Sequence, residues 1–440
     1  MVEITKMKAE KQKAEKEAFF CTTKELSRLG LEQIPTQFQS HKHLIYSSPA
    51  TLAFNSPGAE GFGVKRAGLA VPDSIMLIVA PGCCGRNTSL ISSMKEYNDR
   101  FYYLMMDETD IVTGRHLKKI PKAVEEICSV CPKKPSVVMI CITCVDALLG
   151  TDMERVCKKA EEQVEIPVRP CYMYALTREG RKPPMVHVRQ SLYSLLEPGK
   201  KKGNVVNLLG FFSPLVDDCE IYELLHSAGV KTIHEISRCK DYMEYQTMSE
   251  ANFNLVLHHE ARFAAEDFHN RLQIPFIELR RLYQIDKIEN QYHALGNALG
   301  VAFYDEKYKK QAEDALEKFR QKCPDASFAI GECLNADPFE LSLALIRYGF
   351  SVPEIYGTIT VENFTYIRSL AKISPETKVF SNMEPTMIYY DPVKSDVNLA
   401  IGKDACYYHP DCPYVMWNGE EQPYGYAGVR RLFEQLLEVV

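Results

Sequence analysis

Apolar runs bounded by glycine or proline recur along the chain. These runs begin at Ser74, Pro135, Asn204, Asn254, Ala326 and Asp396. They are rich in Val, Ile and Leu and do not alternate with polar positions, which is typical of strands covered on both faces. The pattern therefore predicts a set of buried strands spread over most of the chain.

Amphipathic helices lie between the apolar runs. They include HLKKIPKAVEEICSV from His116, DCEIYELLHSAG from Asp218, DPFELSLALIRYG from Asp337 and GVRRLFEQLLEVV from Gly428. Strands that alternate with helices imply parallel sheets joined by right-handed crossovers. We predict an α/β fold of three Rossmann-like units, each with a parallel sheet flanked by helices.

Changes in composition suggest the boundaries of these units. A charged N-terminal helical arm is predicted for residues 1–45, followed by a cluster-binding α/β domain over 46–200. The basic stretch EPGKKKGN leads into a second α/β domain, predicted for 201–320. A third α/β domain is predicted for 321–440.

Composition narrows the class of protein. Hydrophobic residues make up 46% of the 440 residues and charged residues 25%, with a formal net charge of −6. These values favour a globular protein and argue against a nucleic-acid binder, which would carry a basic stripe. The most apolar stretch, 136–150, is shorter than the roughly 20 residues of a membrane-spanning helix and contains Asp146. We expect a cytoplasmic protein without a membrane segment.

Two of the predicted strands run directly into cysteines. The strand from Ser74 leads into a glycine-flanked turn with Cys83 and Cys84, and the strand from Pro135 leads into Cys141 and Cys144. Ligands of parallel α/β sheets bind beyond the carboxyl ends of the strands. If the two strands are neighbours, Cys84 and Cys144 meet at one edge, where backbone N–H groups at a helix start would stabilise an anionic cluster.

The number of thiolates suggests a second subunit. Iron–sulfur clusters usually take four cysteine ligands, so two from one chain are half of a set, and a dimer would complete it. The alternative is that all of these cysteines pack in the interior, since thiols behave as small hydrophobes. We favour packing for Cys141, inside its strand, and ligation for Cys84 and Cys144.

Two other cysteine patterns carry weaker signals. Cys128 and Cys131 have CxxC spacing, but no second CxxC follows at the spacing of a zinc ribbon. Cys406, His409 and Cys412 form a Cys-x2-His-x2-Cys pattern after the last predicted strand. Because no fourth ligand is evident there, we interpret this pattern as packing rather than as a metal site.

Three motifs in order resemble the nitrogenase component 1 family. The turn PGCCG from Pro81 is similar to the family's P-x-G-C-G turn. The segment MDETDIVTG from Met106 resembles its E/D-x-D-I-V-x-G signature, and CVDALLGTD from Cys144 resembles its C-P-x-x-L-I-G-D-D motif. NLVLHHEAR from Asn254 and PYGYAGVRRLFEQL from Pro423 are similar to later segments, so the resemblance spans nearly the whole chain.

The resemblance implies a particular cluster. Each family subunit brings three cysteines to an interfacial cluster; Cys84 matches the second and Cys144 the third. The first position falls near Gly58, where this chain has no cysteine. This departure argues against the eight-iron cluster of a true nitrogenase and implies one 4Fe–4S cluster held by two cysteines from each of two subunits. Cys83 is the alternative ligand, which its position directly beside Cys84 disfavours.

The resemblance also bears on the second cofactor of nitrogenase. Its anchoring cysteine would fall near His258 and its anchoring histidine near Met416, and neither is present. We therefore do not expect dinitrogen reduction. His258, His259 and Glu260 end a predicted strand and are our candidates for contacting substrate or donating protons, with a purely structural histidine pair as an equal alternative.

The predicted function follows from these motifs. The segment from Gly82 to Ser89 is too short for a phosphate-binding loop and has Arg86 in place of its lysine. The resemblance therefore implies a separate ATP-hydrolysing iron-protein-like reductase as partner, together with a homodimer or a paralogous partner subunit and a small-molecule substrate. We predict the electron-accepting component of a nitrogenase-like two-component reductase. A metallocofactor assembly scaffold and a non-redox binding protein remain the alternatives.

Overall fold

The chain folds into three sheets with helices packed on their faces. The computed structural model describes residues 17–40, 48–54, 63–82, 94–173 and 182–440. Within these ranges the strands are β1 (Phe20–Thr22), β2 (Ile75–Ala80), β3 (Phe101–Met105), β4 (Val138–Ile142), β5 (Val168–Tyr172), β6 (Val205–Leu209), β7 (Thr232–His234), β8 (Phe253–Val256), β9 (Phe276–Glu278), β10 (Ser327–Ile330), β11 (Ser351–Tyr356), β12 (Lys378–Phe380), β13 (Leu399–Ile401) and β14 (Tyr414–Val415).

Helices connect almost all of these strands. In chain order they are α1 (Thr23–Leu29), α2 (Pro49–Phe54), α3 (Val64–Ala67), α4 (Glu108–Thr113), α5 (His116–Val130), α6 (Cys144–Leu149), α7 (Met153–Val164), α8 (Pro184–Tyr193), α9 (Glu220–Ser227), α10 (Tyr242–Gln246), α11 (Arg262–Leu272), α12 (Ile285–Leu299), α13 (Glu306–Lys322), α14 (Pro338–Arg347), α15 (Phe364–Ile373), α16 (Lys403–Tyr408) and α17 (Gly425–Val439). All four helices predicted from amphipathic patterns are present.

The first sheet has the order β3-β2-β4-β5, and all of its strands are parallel. Every residue of β2 and β4 is buried, as expected for strands with helices on both faces. The two strands are direct neighbours, with Val79 opposite Ile142. The carboxyl ends of the two strands therefore lie side by side at one edge of the sheet.

The second sheet has the order β7-β6-β8-β9 and is also entirely parallel. Its central strands β6 and β8 correspond to the predicted runs from Asn204 and Asn254. Leu209 and Val256 are paired at the carboxyl ends of these strands. The residues that follow, Gly210 and the histidine pair, are thereby placed at the same edge.

The third sheet has the order β1-β12-β11-β10-β13-β14, and only the pairing of β1 with β12 is antiparallel. The predicted N-terminal helical arm is corrected in part: residues 1–16 and 41–45 lie outside the described residues, and in the remainder α1 is helical but Phe20–Thr22 is a strand of this sheet. Its backbone pairs with Lys378–Phe380, and the Phe20 ring packs 5.6 Å from that of Phe380. A strand so short has no detectable periodicity, which explains why the charged sequence around it dominated the prediction.

The three sheets share their hydrophobic cores. Val206 and Leu255 of the second sheet belong to the same core as Phe328 and Ile401 of the third. Helix α8 packs against β5 and against α11, and so joins the first sheet to the second. The predicted domain boundaries stay predictions, because apolar packing runs continuously across them.

No helix in the described ranges combines the length and the apolar character that crossing a membrane requires.

Candidate functional site

A cleft opens between the carboxyl ends of the second and third sheets. Its cavity has a volume of about 630 Å³ and is lined by residues that follow β6, β8, β9 and β10, and by α8. This is where parallel α/β sheets bind ligands, and the volume suits a small molecule. The lining residues include Arg189, Phe211, His258, Glu260, Arg281 and Asp337.

The predicted catalytic residues His258, His259 and Glu260 lie together in this cleft. The two imidazole rings stack with centroids 4.5 Å apart. The Glu260 N–H donates to Nδ1 of His258 over 3.4 Å, so the neutral ring carries its proton on Nε2. The structure brings these residues to one place, and their catalytic role stays a prediction.

His258 is a neutral imidazole at physiological pH. About a third of its side-chain surface, 34%, is exposed, and the ring lines the cleft between protein walls. Burial, followed by the positive charge of Arg189, lowers the pKa of His258 well below its usual value of 6.5. The ring is therefore a hydrogen-bond donor and acceptor rather than a resident cation.

Glu260 is neutralised by a buried arginine. Arg189 Nη1 donates to Glu260 Oε2 over 2.7 Å, and Arg189 Nη2 donates to the Gly210 carbonyl over 2.7 Å. Burial lowers the pKa of Arg189, which is only 5% exposed. This pairing makes Glu260 an anchor for the histidine turn more than a general base.

Gly210 permits the close approach of β6 to the histidine turn. Its φ is +143°, and a Cβ at this position would lie 2.8 Å from the backbone nitrogen of His258. Residues with a side chain rarely adopt this conformation, and here they would also collide with the turn. Glycine is thus required for His258 to sit against the end of β6.

The opposite wall of the cleft is acidic. Asp337 begins α14 and accepts from the Phe339 and Glu340 N–H groups over 2.9 and 3.0 Å. Glu332, at the end of β10, accepts from the Thr358 N–H over 2.9 Å. Burial raises the pKa of both carboxyls. The sequence analysis did not identify this wall, although the Asp-Pro pair at 337–338 is a typical helix-start signal.

Burial of neutral His258 predicts an acid-sensitive contribution to stability. The unfolded chain binds a proton near pH 6.5, whereas the folded chain does so only at lower pH. This contribution is therefore fully present above about pH 6.5 and is lost as the pH falls below it. We expect the free energy of unfolding, measured with urea, to fall when the pH is lowered from about 7.5 to about 5.5. This fall should be smaller for His258→Asn than for the unsubstituted chain.

His293→Asn is the control for this prediction, because His293 is an exposed histidine on α12, away from the cleft. It should keep the pH dependence of the unsubstituted chain. Identical pH profiles for His258→Asn and the unsubstituted chain would show that burial of His258 is not linked to protonation.

The second feature is the edge formed by the turns after β2 and β4, here called the cysteine edge. Cys144 lies there, partly buried, at the first position of α6. Cys83 and Cys84 lie outside the described residues, so their ligand roles stay predictions. The parallel pairing of β2 with β4 confirms that the two strands are neighbours, the condition set for the two motifs to meet.

A buried histidine–aspartate pair supports the turn at Cys144. His116 Nε2 lies 2.9 Å from Asp146 Oδ1, and His116 Nδ1 donates to the Asp110 carbonyl over 3.1 Å. Hydrogen bonds from Lys119 and Arg115 hold the pKa of Asp110 well below its usual value. The acidic signature from Met106 thus has a structural role, since it fixes the start of α5 beneath the cysteine turn.

Apolar side chains are exposed around the cysteine edge. Leu148 and Leu149 in α6 are 66% and 49% exposed, and Met105 at the end of β3 is 63% exposed. A Cβ on Gly82 would lie 3.9 Å from the Met105 side chain, so the apolar surface reaches the turn after β2. Exposed apolar surface beside polar groups is typical of a surface that another protein covers.

Within the described ranges, no group of three or more His, Cys, Asp or Glu side chains converges as a metal site. His409 instead pairs with buried Glu354 over 3.1 Å and with the Tyr390 hydroxyl over 2.8 Å. Cys412 contacts the Val397 carbonyl at 3.6 Å. His409 is thus part of a buried polar cluster, and the interpretation of the Cys-x2-His-x2-Cys pattern as packing stays a prediction.

The CxxC pattern near residue 130 lies at the end of α5. The Tyr102 hydroxyl lies 3.1 Å from the Cys131 sulfur. Burial, followed by the neighbouring Cys131, raises the pKa of Cys128. A thiol with a raised pKa is a poor nucleophile and a poor metal ligand at neutral pH, which fits the weak signal of this motif.

Both the sequence and the fold are similar to those of known proteins. A sequence model of the nitrogenase component 1 type oxidoreductase family matches residues 60–440. The nitrogenase iron-molybdenum cofactor biosynthesis protein NifE of Sinorhizobium fredii is 25% identical over 418 residues, 89% of this chain and 82% of that protein. NifE of Methanosarcina barkeri is 27% identical over 205 residues, 42% of this chain and 43% of that protein.

A solved structure titled "Nitrogenase Cp1 at pH 6.5" has a similar fold. Its TM-score is 0.69 at 19% sequence identity, and the match covers 86% of this chain and 91% of that one. At this identity the likeness establishes the architecture alone, because one fold supports many chemistries.

Proposed function

Because this chain belongs to the family of nitrogenase component 1 type oxidoreductases, we propose that it is the electron-accepting component of a nitrogenase-like two-component reductase. In this proposal one 4Fe–4S cluster is held at the cysteine edge between two subunits, and a small-molecule substrate occupies the cleft. The partners are an ATP-hydrolysing iron-protein-like reductase and a second subunit, identical or paralogous.

The cysteine edge supports a cluster shared between subunits. Cys144 stands at a strand end beside the turn that continues into Cys83 and Cys84, and exposed leucines surround it. A cubane takes about four thiolates, and the matched motifs of one chain supply two. Side chains beneath the edge also carry buried oxygens, Thr143 Oγ1 and Asp146 Oδ2, with no hydrogen-bond partner among the described residues. This surface is suited to completion by a partner.

The cleft supports the binding of a reactant. When bound at the edge, the cluster would supply single electrons for reduction. The chain's own part is to bind and orient the substrate and to provide protons. Neutral His258 presents an N–H donor, and the exposed ring of His259 can exchange protons with solvent. The single observation that carries the proposal is the strand-end placement of Cys144 beside exposed apolar surface.

The proposal is tested by iron and acid-labile sulfide analysis, EPR and native mass of anaerobically purified protein. We expect a dimer with about four irons and the signal of a reduced cubane. About eight irons would require more ligands and would bring Cys83 into the site. Absence of iron after anaerobic reconstitution would overturn the redox proposal and leave a binding protein on the same fold.

A second candidate is a scaffold on which a metallocofactor is assembled. The observation that favours it is that the curated relatives are named for iron-molybdenum cofactor biosynthesis. A scaffold gives up its metal to an acceptor, whereas a reductase keeps it through repeated turnover. Incubation of the iron-loaded protein with a reductant, the ATPase partner and an apo-acceptor separates the two, since only the scaffold would lose iron stoichiometrically.

A further inference from the structure

One partly buried arginine of the cleft has no carboxylate partner among the described residues. Arg281 follows β9, and its guanidinium stacks 4.3 Å above the Phe211 ring. Its Nη2 donates to Gln422 Oε1 over 2.6 Å, and its Nε is buried with no acceptor among the described residues. No carboxylate in the described ranges pairs with it, and burial lowers the pKa of Arg281.

Two neighbouring arginines of the cleft, in contrast, are each paired with a carboxylate. Arg189 is neutralised by Glu260 over 2.7 Å, and Arg262 binds both oxygens of Glu278 over 2.6 and 2.8 Å. Placing a cation in a partly buried site without a partner is unfavourable unless a ligand supplies the opposite charge. Arg281 is a cation of this cleft with no carboxylate partner among the described residues; Arg280, which also lines the cavity, is exposed to solvent.

A second donor lies beside Arg281. The His258 ring packs edge-on against Phe211 with centroids 5.7 Å apart, so Arg281 and His258 contact the same phenyl ring. The positive charge of Arg281 is also among the causes that lower the pKa of His258. Because Nδ1 of His258 is already an acceptor, its Nε2–H is the group left for a ligand.

We infer that the corner formed by Arg281, Phe211 and His258 binds a carboxylate group of the molecule that occupies the cleft. The inference rests on the proposed function only in placing a reactant in this cleft. The carboxylate would accept from the guanidinium and from the imidazole N–H, and would supply the missing negative charge. The acidic wall of Glu332 and Asp337 repels it and so orients the ligand with its carboxylate toward the second sheet.

A planar anion fits this corner better than a tetrahedral one. Phe211 covers one face of the Arg281 guanidinium, so the N–H donors of Arg281 point outward in the plane of the guanidinium. Two oxygens of a carboxylate match coplanar N–H donors, and a charge-assisted pair of this kind is about twice as strong as a neutral hydrogen bond. The chemical class assigned to the ligand is therefore a small molecule bearing a carboxylate.

Binding of succinate to the full-length protein, measured by calorimetry, tests this inference. We expect saturable binding of succinate and none of succinamide, which has the same length without charge. Arg281→Gln should weaken succinate binding roughly tenfold or more, and Arg281→Lys, which keeps the charge but not the fork, should weaken it less. Succinate binding that is absent, or matched by succinamide or inorganic phosphate, would overturn the carboxylate site.

Arg368→Gln is the matched control. Arg368 also stacks on a phenylalanine, 4.9 Å above Phe364, but it is exposed and outside the cavity lining, so succinate affinity should not change. Iron is measured on the same preparations. Succinate binding without iron would keep the carboxylate site and remove the redox proposal, whereas iron without succinate binding would do the reverse.

Discussion

Cys144→Ala protein, purified without oxygen, is expected to contain almost no iron. Cys144 is the described member of the cysteine edge, at the strand end and the start of α6. Alanine removes the sulfur that would serve as a ligand, and no group of three or more His, Cys, Asp or Glu side chains converges in the described ranges to hold the metal instead. Loss of one of about four cysteine ligands leaves a cubane open to water and to dissociation. Iron content and EPR measure the effect.

Cys157→Ala is the control for this substitution. Cys157 is 2% exposed in α7, where burial raises the pKa of its thiol, so it packs as a small hydrophobe. Removing its sulfur should cost some stability and leave iron unchanged. Equal iron in Cys144→Ala and Cys157→Ala would end the assignment of Cys144 as a ligand.

Glu220→Ala is expected to lower the free energy of unfolding by about 3 kcal/mol. Glu220 is 1% exposed at the start of α9, and burial raises the pKa of its carboxyl. The carboxyl accepts from the Tyr292 hydroxyl over 2.6 Å and from the Tyr426 and Ala427 N–H groups over 2.6 and 3.0 Å. Alanine would leave all three donors buried and unpaired, and would detach the start of α17. Urea unfolding measures the loss.

Glu223→Ala provides a matched comparison on the same helix. Its side chain is 69% exposed and pairs with Lys307 over 3.0 Å at the surface. Exposed ion pairs contribute little to stability because water and salt screen them, so the unfolding midpoint of this variant should stay close to that of the unsubstituted chain. If both variants unfolded at the same urea concentration, the buried carboxyl would not be what secures the C-terminal helix.

The central strands could be predicted from the sequence because they are covered on both faces. The run from Ser74 became β2, with all six residues buried. The edge strand β3 was missed, since its residues are only partly covered and include exposed Met105. The pattern of apolar residues in a sequence depends on which side chains are buried. A strand at the edge of a sheet is buried unevenly, so its sequence shows no clear pattern.

The candidate site was predictable only in part. The histidine pair was found because it ends an apolar run, and that position is where parallel sheets bind ligands. Nothing in the sequence indicated that Arg189 and Arg281 belong to the site, although the positive charge of each lowers the pKa of His258. Arginine is common at surfaces, and only the fold shows that Arg189 is buried beside a carboxylate and that Arg281 is partly buried with none among the described residues.

The sequence by itself determined the α/β class, the three mainly parallel sheets and the membership of a family, because these follow from apolar runs and local motifs. The tertiary structure alone decided that β1 joins the third sheet as its antiparallel strand and that the cleft has a cationic and an acidic wall. It also decided that Arg281 has no carboxylate partner among the described residues. Pairings such as Glu220 with Tyr426 join residues far apart in the chain, and burial and charge compensation exist only after such segments meet.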